Sequence, residues 1–223
     1  MPTEALLWDF DGLICDTERA AHRSWELLYS RHGLAFPEEV WAAMAGRAEG
    51  EKYAAQDLAE RLGRALSPEE LAERRGSKAR LANAEPLRPG VTQLLERAAR
   101  QGIRSAVVSS SDEVWVRGHL DRLKALERFT TVVTGEQVAA RKPAPDLYLR
   151  ALDLLGVSPK AGLALEDSHV GVAAAKAAGL TCVAVPGALG SRNELTAADL
   201  VLDSLEQLER FDVPGTTVKV IPG

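Results

Sequence analysis

The amino-acid sequence predicts an α/β fold: a doubly wound, mostly parallel sheet with a Rossmann-like core and an inserted all-helical cap. Three features predict it. A short apolar run stands near the start, a block without strand patterns follows it, and strand-like and helix-like segments then alternate to about residue 202. Strands that alternate with helices of this length are typical of right-handed βαβ crossovers and a parallel sheet.

The first strand is predicted at residues 5–8, whose sequence is Ala-Leu-Leu-Trp. A continuous apolar run of this length, followed by turn residues, indicates a strand that is buried on both faces. From Thr17 the apolar period becomes helical, and it predicts helices at 17–32, 38–45, 49–62 and 68–83. Ser67-Pro68-Glu69-Glu70 is a strong start signal, since Ser is a good N-cap, Pro fits the first helical position and Glu stands three residues after the cap.

A boundary is predicted at Pro86 to Gly90, after which strands and helices alternate. The predicted helices are 91–101, 112–125, 146–155 and 169–178, and the predicted strands are 103–108, 130–134, 162–166 and 181–185, with a weak strand near 199–202. The tail 216–221 is expected as an edge strand or a frayed end. We therefore expect a core formed by 1–16 and 87–223, with a helical cap, 17–86, inserted after the first strand.

Composition limits the classes of function. The chain has 223 residues, of which 46% are hydrophobic and 26% charged, and its net charge is −5. This balance gives no general attraction to nucleic acid or anionic lipid. No apolar run approaches the roughly 20 residues of a membrane span, and the start does not resemble a signal peptide. Because the chain has only two cysteines, we expect free thiols and a cytoplasmic protein. We also expect a monomer or weak dimer that binds neither nucleic acid nor a membrane.

Polar residues cluster where the predicted strands end. In open parallel sheets, ligands bind outside the carboxyl ends of the strands. Several carboxylates at one site favour a hard cation such as Mg²⁺, and a carboxylate can also act as a covalent nucleophile. Lysine and serine at the same edge suit the oxygens of a phosphoryl group. The residues concerned are Asp9, Asp11, Ser109, Lys142, Glu166 and Asp167.

These residues carry a family resemblance. The run from Asp9 to Glu18, DFDGLICDTE, resembles the first motif of haloacid-dehalogenase-like phosphohydrolases. Ser109 is similar to the second motif, Lys142 to Leu149 to the third, and Leu165 to Ser168, followed by Gly171, to the fourth. All four stand in family order, and the helical insertion resembles the small helical cap of the β-phosphoglucomutase-like phosphatases.

The resemblance implies a Mg²⁺-dependent phosphatase of a small phosphorylated metabolite, such as a sugar phosphate. Asp9 would attack phosphorus and become an aspartyl phosphate, and Asp11 would protonate the leaving group and then activate water. The phosphoryl oxygens would be held by Ser109, the backbone of Ser110 and Lys142. The metal ligands would be Asp9, Asp11 through its backbone carbonyl, Glu166 and Asp167.

The cap is expected to contact the substrate through Arg47 and Arg75. Most cationic side chains of the cap, a group that also includes Lys52, Arg74 and Lys78, are expected on solvated helix faces. One or two of them would reach a second anionic group of the substrate, but the helical period does not select which.

Two alternatives stay open. The resembled sugar-phosphate mutases carry a histidine shortly after the first motif, and this chain has Ala21 there, with His22 one residue away. Their cap lysine corresponds to Arg75, which makes a mutase less favoured than a phosphatase. A phosphoreceiver-like regulator combines similar residue types on a doubly wound sheet, but such domains are shorter and have no helical insertion. One of the polar residues 109–112 is also expected to be a helix N-cap.

Overall fold

A six-stranded parallel sheet forms the centre of the fold. The structure, a computed structural model, describes residues 2–44, 50–208 and 211. The strand order is β3-β2-β1-β4-β5-β6. The strands are β1 (Ala5–Trp8), β2 (Arg104–Val108), β3 (Thr131–Val133), β4 (Gly162–Glu166), β5 (Thr181–Ala184) and β6 (Leu200–Val201).

Eight α-helices accompany the strands in the described ranges. Five of them lie between β1 and β2 in the chain, and each of the next three lies between two successive strands. They are α1 (Thr17–Arg31), α2 (Glu38–Met44), α3 (Glu51–Leu62), α4 (Pro68–Ala84), α5 (Val91–Arg100), α6 (Glu113–Arg122), α7 (Asp146–Leu155) and α8 (His169–Ala177).

Strand β1 lies in the middle of the sheet. It pairs with β2 on one side and β4 on the other, so that Ala5 stands opposite both Arg104 and Gly162. All four β1 side chains are fully buried. A central parallel strand is covered on both faces, which is why the sequence is apolar without alternation.

Helices cover both faces of the sheet. Residues of α5 and α6 pack with Leu6 and Trp8 in one apolar cluster, and residues of α7 and α8 pack with Ala5 and Leu7 in another. Alternate β1 residues thus face opposite layers, as the two-residue period of a strand requires. The predicted doubly wound α/β fold is confirmed.

The helices α1 to α4 have an apolar cluster of their own. It is built around Trp25, Leu28, Tyr29 and Leu58. The Tyr29 hydroxyl donates to the Ala54 carbonyl at 2.9 Å and to Asp57 Oδ2 at 2.8 Å, which ties α1 to α3. A separate cluster favours the predicted division into a core and a cap, and the division itself stays a prediction.

The element ends differ slightly from the prediction. Helix α6 was expected over 112–125 and spans Glu113–Arg122, because Asp112 is its N-cap and Lys124 has a positive φ of 54°. Strand β3 is one residue shorter at each end than predicted. The predicted tail element at 216–221 lies outside the described residues. Among the helices described, none is long and apolar enough to span a membrane.

The start of α4 gives a stability prediction. Ser67 accepts a hydrogen bond from the Glu70 amide at 3.2 Å, and Glu70 accepts one from the Ser67 amide at 2.7 Å. Replacing Ser67 with Ala leaves an amide of the first turn without its partner, so the free energy of unfolding should fall by about 1 kcal/mol. Urea denaturation followed by circular dichroism measures it.

Ser158→Ala is the matched control for Ser67→Ala. Ser158 also precedes a proline at a helical start, but its side chain makes no capping hydrogen bond. Equal losses for the two variants would contradict the assigned role of the Ser67 cap.

Candidate active site

The sheet brings the predicted polar residues to one edge. Asp9 follows β1 directly, Ser109 follows β2, and Glu166 is the last residue of β4. Because β1 lies between β2 and β4, the ends of these three strands are neighbours. Lys142, in the loop after β3, reaches the same edge, where its side chain is buried.

The Lys142 ammonium joins two of the predicted carboxylates. Its Nζ lies 2.6 Å from Asp9 Oδ1 and 2.6 Å from Glu166 Oε1. Burial alone would lower the pKa of Lys142, but the charges of Asp9 and Glu166 together raise it above its ordinary value. Tyr148 on α7 donates to the same Glu166 oxygen at 2.5 Å. The lysine is therefore a fixed, charged group at the end of β1.

Three carboxylates form an acidic cluster around this lysine. Oxygen atoms of Asp9, Glu166 and Asp167 all lie within 4.8 Å of one another. Burial raises the pKa of Asp9 well above its usual range, and the charges of Glu166 and Asp11 add to this against the opposing charge of Lys142. Burial also raises the pKa of Asp167, reinforced by the charges of Asp9, Glu166 and Glu18 against the opposing charge of Arg88.

The donor set fits a hard cation. Asp9 Oδ2 is buried and has no hydrogen-bond partner among the described residues, and carboxylate oxygens are the ligands that Mg²⁺ prefers. Both oxygens of Glu166 accept hydrogen bonds, Oε1 from Lys142 and Tyr148 and Oε2 from the Asp167 amide at 3.3 Å. Asp9 and Asp167 are therefore the more available carboxylates, and Glu166 also orients the lysine.

Two glycines allow the acidic side chains to lie this close to the backbone. Gly12 has a φ of +89°, and a Cβ there would lie 1.9 Å from Asp167 Oδ2. A Cβ at Gly171 would lie 1.9 Å from Glu166 Oε2. Any larger residue at either position would displace a carboxylate of the acidic cluster.

The Asp11 carboxylate has a different environment from that of Asp9. Its Oδ1 accepts from the Thr17 hydroxyl at 2.7 Å and from the Trp115 indole Nε1 at 2.9 Å. Its Oδ2 accepts from Ser109 at 3.2 Å and from Ser111 at 2.6 Å. Among the described residues, the side chain of Asp11 thus belongs to a hydroxyl and indole pocket and not to the acidic cluster. Metal ligation by its backbone carbonyl stays a prediction.

Ser109 and Ser110 follow strand β2 on the side of Asp11. Ser109 is buried, and its hydroxyl donates to Asp11 and accepts from the Ser111 amide at 3.0 Å. The Ser110 hydroxyl is buried, and no residue in the described part of the chain bonds it. The N-cap of α6 is Asp112, which accepts from the Trp115 amide at 2.7 Å. The capping role therefore falls to Asp112 and not to Ser109 or Ser110.

The cap residues are distributed differently from the expectation. Arg75 is exposed, its contact with a substrate stays a prediction, and Arg47 lies outside the described residues. Arg74, expected on a solvated face, is buried: its guanidinium lies 4.6 Å from the centre of the Trp25 ring and bonds Glu51. An arginine can be buried where its guanidinium contacts a carboxylate and an aromatic face. Here both partners lie on other helices, Trp25 on α1 and Glu51 on α3.

Sequence reasoning did not single out four residues that hold the site together. Thr17 and Tyr148 lie inside the motifs that carried the resemblance, and Ser111 follows Ser109 by two residues. The sequence evidence for Trp115 was the weakest. It was only that a large side chain with an N–H donor stands in the first turn of the helix that begins at the site. The cap lysine Lys78 lies over this indole, with Nζ 4.9 Å from the ring centre.

Comparisons with known proteins agree with this geometry. The family model described as haloacid dehalogenase-like hydrolase matches residues 6–185. YhcW of Bacillus subtilis, named as a candidate phosphatase, is 39% identical over 207 residues, 92% of this chain and 94% of that protein. Hexitol phosphatase A of Escherichia coli is 34% identical over 221 residues, 93% and 94% of the two chains.

A solved structure extends the comparison. The crystal structure of an Asp-to-Asn variant of CbbY from Rhodobacter sphaeroides, in complex with xylulose-(1,5)bisphosphate, has a TM-score of 0.70 and 30% identity, covering 93% of this chain and 96% of that one. The predicted fold and the predicted phosphatase class are confirmed. The chain belongs to the haloacid dehalogenase-like hydrolase family.

Proposed function

We propose that the protein is a Mg²⁺-dependent phosphatase of a small phosphorylated metabolite, a sugar phosphate or similar phosphomonoester, and that it works through an aspartyl phosphate on Asp9. The observation that carries the proposal is the Asp9 carboxylate. One of its oxygens is buried without a partner, and the other is held by a buried lysine. The names of hexitol phosphatase A and of the CbbY complex support a phosphorylated carbohydrate as the substrate class.

The first half of the reaction transfers the phosphoryl group to the enzyme. A carboxylate oxygen of Asp9 attacks phosphorus, a P–O bond forms on Asp9, and the bond from phosphorus to the ester oxygen breaks. Asp11 gives a proton to that ester oxygen, which leaves as an alcohol. Ser109, Ser110 and Lys142 hold the phosphoryl oxygens, and Lys142 offsets charge that develops on them.

The second half returns the enzyme to its starting state. Asp11 takes a proton from water, and the water oxygen attacks phosphorus of the aspartyl phosphate. Inorganic phosphate leaves, Asp9 is restored, and Asp11 again holds its proton. Asp9, Asp167, Glu166 and the Asp11 carbonyl would hold Mg²⁺, which when bound neutralises charge on the phosphoryl oxygens.

The helices of residues 17–86 act as the cap of this site. They are inserted after β1 and the short segment that follows it, which contains Asp9 and Asp11. Lys78 of α4 lies over Trp115 of α6, so the cap meets the core beside the reacting carboxyl groups. A cap in this position excludes bulk water during the transfer and selects the substrate.

Metal dependence is the first test. Hydrolysis of p-nitrophenyl phosphate should require Mg²⁺, and Ca²⁺ should replace it poorly, because Ca²⁺ takes more ligands in a looser geometry and would misplace the nucleophile. Asp167→Asn should raise the Mg²⁺ concentration needed for half-maximal rate. Asp153→Asn, which changes an exposed carboxylate paired with Arg150, is the control and should leave this concentration unchanged. Full activity in excess EDTA, after demonstrated metal removal, would refute the proposed metal site.

Asp11→Asn tests the covalent mechanism. p-Nitrophenolate leaves without the help of an acid, so Asp9 should still be phosphorylated. Hydrolysis of the aspartyl phosphate still needs a base to activate water, and loss of a general base costs roughly 10²–10⁴ in rate. The variant should release at most one equivalent of nitrophenol in a burst, and intact-mass measurement should then detect one added phosphoryl group. Linear turnover from the start, with no phosphorylated enzyme on rapid quench, would exclude this use of the two carboxyl groups.

The mutase alternative has its own test. The His22 ring packs against Phe36 and Trp41, with centroids 5.3 and 5.0 Å away, and Ala21 occupies the position of the mutase histidine. Without that histidine, water should reach the aspartyl phosphate. β-Glucose 1-phosphate, if accepted, should therefore give glucose and phosphate. A coupled assay that detects glucose 6-phosphate with little free phosphate would establish the mutase instead.

A further inference from the structure

Trp115 connects helix α6 to Asp11. Its indole Nε1 donates to Asp11 Oδ1 at 2.9 Å across 104 residues of sequence. The ring is fixed by its neighbours: Lys78 Nζ lies 4.9 Å from the ring centre, and the His119 ring lies 4.3 Å away, edge to face. Contacts other than the hydrogen bond to Asp11 therefore also restrict the orientation of the indole.

The four donors on Asp11 are not equivalent. Thr17, Ser109 and Ser111 contribute hydroxyls, which can rotate and either donate or accept. The Trp115 N–H can only donate. Oδ1 is thus committed to being an acceptor, whereas Oδ2, which contacts only hydroxyls among the described residues, is not.

A bound phosphoryl group would change the two oxygens differently. Under the proposed function, the Ser109 hydroxyl donates to a phosphoryl oxygen and no longer donates to Asp11 Oδ2. Oδ1 keeps both Thr17 and Trp115. Among the described residues, Oδ2 then keeps only the Ser111 hydroxyl, at 2.6 Å, and is the oxygen that carries the proton exchanged in the reaction.

We propose that Trp115 is a positioning residue for the phosphatase reaction: by holding Oδ1, it turns Oδ2 of Asp11 toward the phosphoryl group at Ser109. The proposal rests on the proposed function, in which Asp11 exchanges a proton with the leaving group and with water. In this role Trp115 acts through Asp11 and exchanges no proton with the leaving group or with water. Because Lys78 belongs to the inserted helices, the orientation of the ring also depends on the position of the cap.

Trp115→Phe tests this role, since it keeps an aromatic ring on α6 and removes the N–H. For an alkyl phosphate substrate, whose leaving group needs a proton, kcat should fall by about 10²-fold, as expected for a misplaced catalytic group. KM should change by no more than about twofold, because the phosphate ligands are untouched. With p-nitrophenyl phosphate, phosphorylated enzyme should accumulate, as detected by intact mass.

A second variant distinguishes the loss of the N–H hydrogen bond from the loss of side-chain packing. Benzothienylalanine, placed at position 115 by genetic-code expansion, has the ring shape of tryptophan with sulfur in place of N–H. It should reproduce the kinetics of Trp115→Phe with an unchanged melting temperature. Recovery of the wild-type rate by this analogue would overturn the proposal in favour of a packing role.

Trp25→Phe is the matched control, since the buried Trp25 indole N–H has no hydrogen-bond partner. It should leave the alkyl phosphate rate within about twofold of wild type. If Trp115→Phe behaves like Trp25→Phe while Asp11→Asn still gives a burst, the positioning role is overturned and the proposed function stands. If Asp11→Asn turns over without a phosphorylated intermediate, the proposed function fails and the positioning role fails with it.

Discussion

The site depends on one buried cation, the Lys142 ammonium, which lies 2.6 Å from both Asp9 and Glu166. Burying three charged groups is costly unless each has a close partner. The partners here come from the end of β1, the end of β4 and the loop after β3. The lysine therefore requires the strands to be neighbours in this order, and the sheet topology and the acidic cluster support each other.

The sequence predicted most of the fold and the meeting of four polar residues at one edge of the sheet, because two simple rules apply. Apolar runs of four or five residues mark buried parallel strands, and the ends of such strands meet at one edge. The rules require only the chain order, so Asp9, Ser109, Lys142 and Glu166 could be placed together before any distance was known. The helix ends were less predictable, since Asp112 and Lys124 set the limits of α6 through capping and a positive φ.

The residues that could not be predicted are those whose role depends on the direction of a side chain. Arg74 is buried because Glu51 and the Trp25 ring receive it, and both come from other helices. Trp115 donates to Asp11 from a ring that lies against His119 and under Lys78 of α4. Helical periodicity gives the face of one helix, and it carries no information about a partner on a second helix.

Asp9 and Asp11 are only two residues apart, yet their surroundings give them different chemistry. Asp9 lies toward β4, among charged groups that leave one of its oxygens unpartnered. Asp11 lies toward β2 and α6, where three hydroxyls and an indole surround its oxygens. Two carboxyl groups in different environments can serve as nucleophile and as proton carrier in one reaction. The bend at Gly12, with a φ of +89°, starts the chain toward α1, so that Thr17 can donate to one Asp11 oxygen while the serines donate to the other.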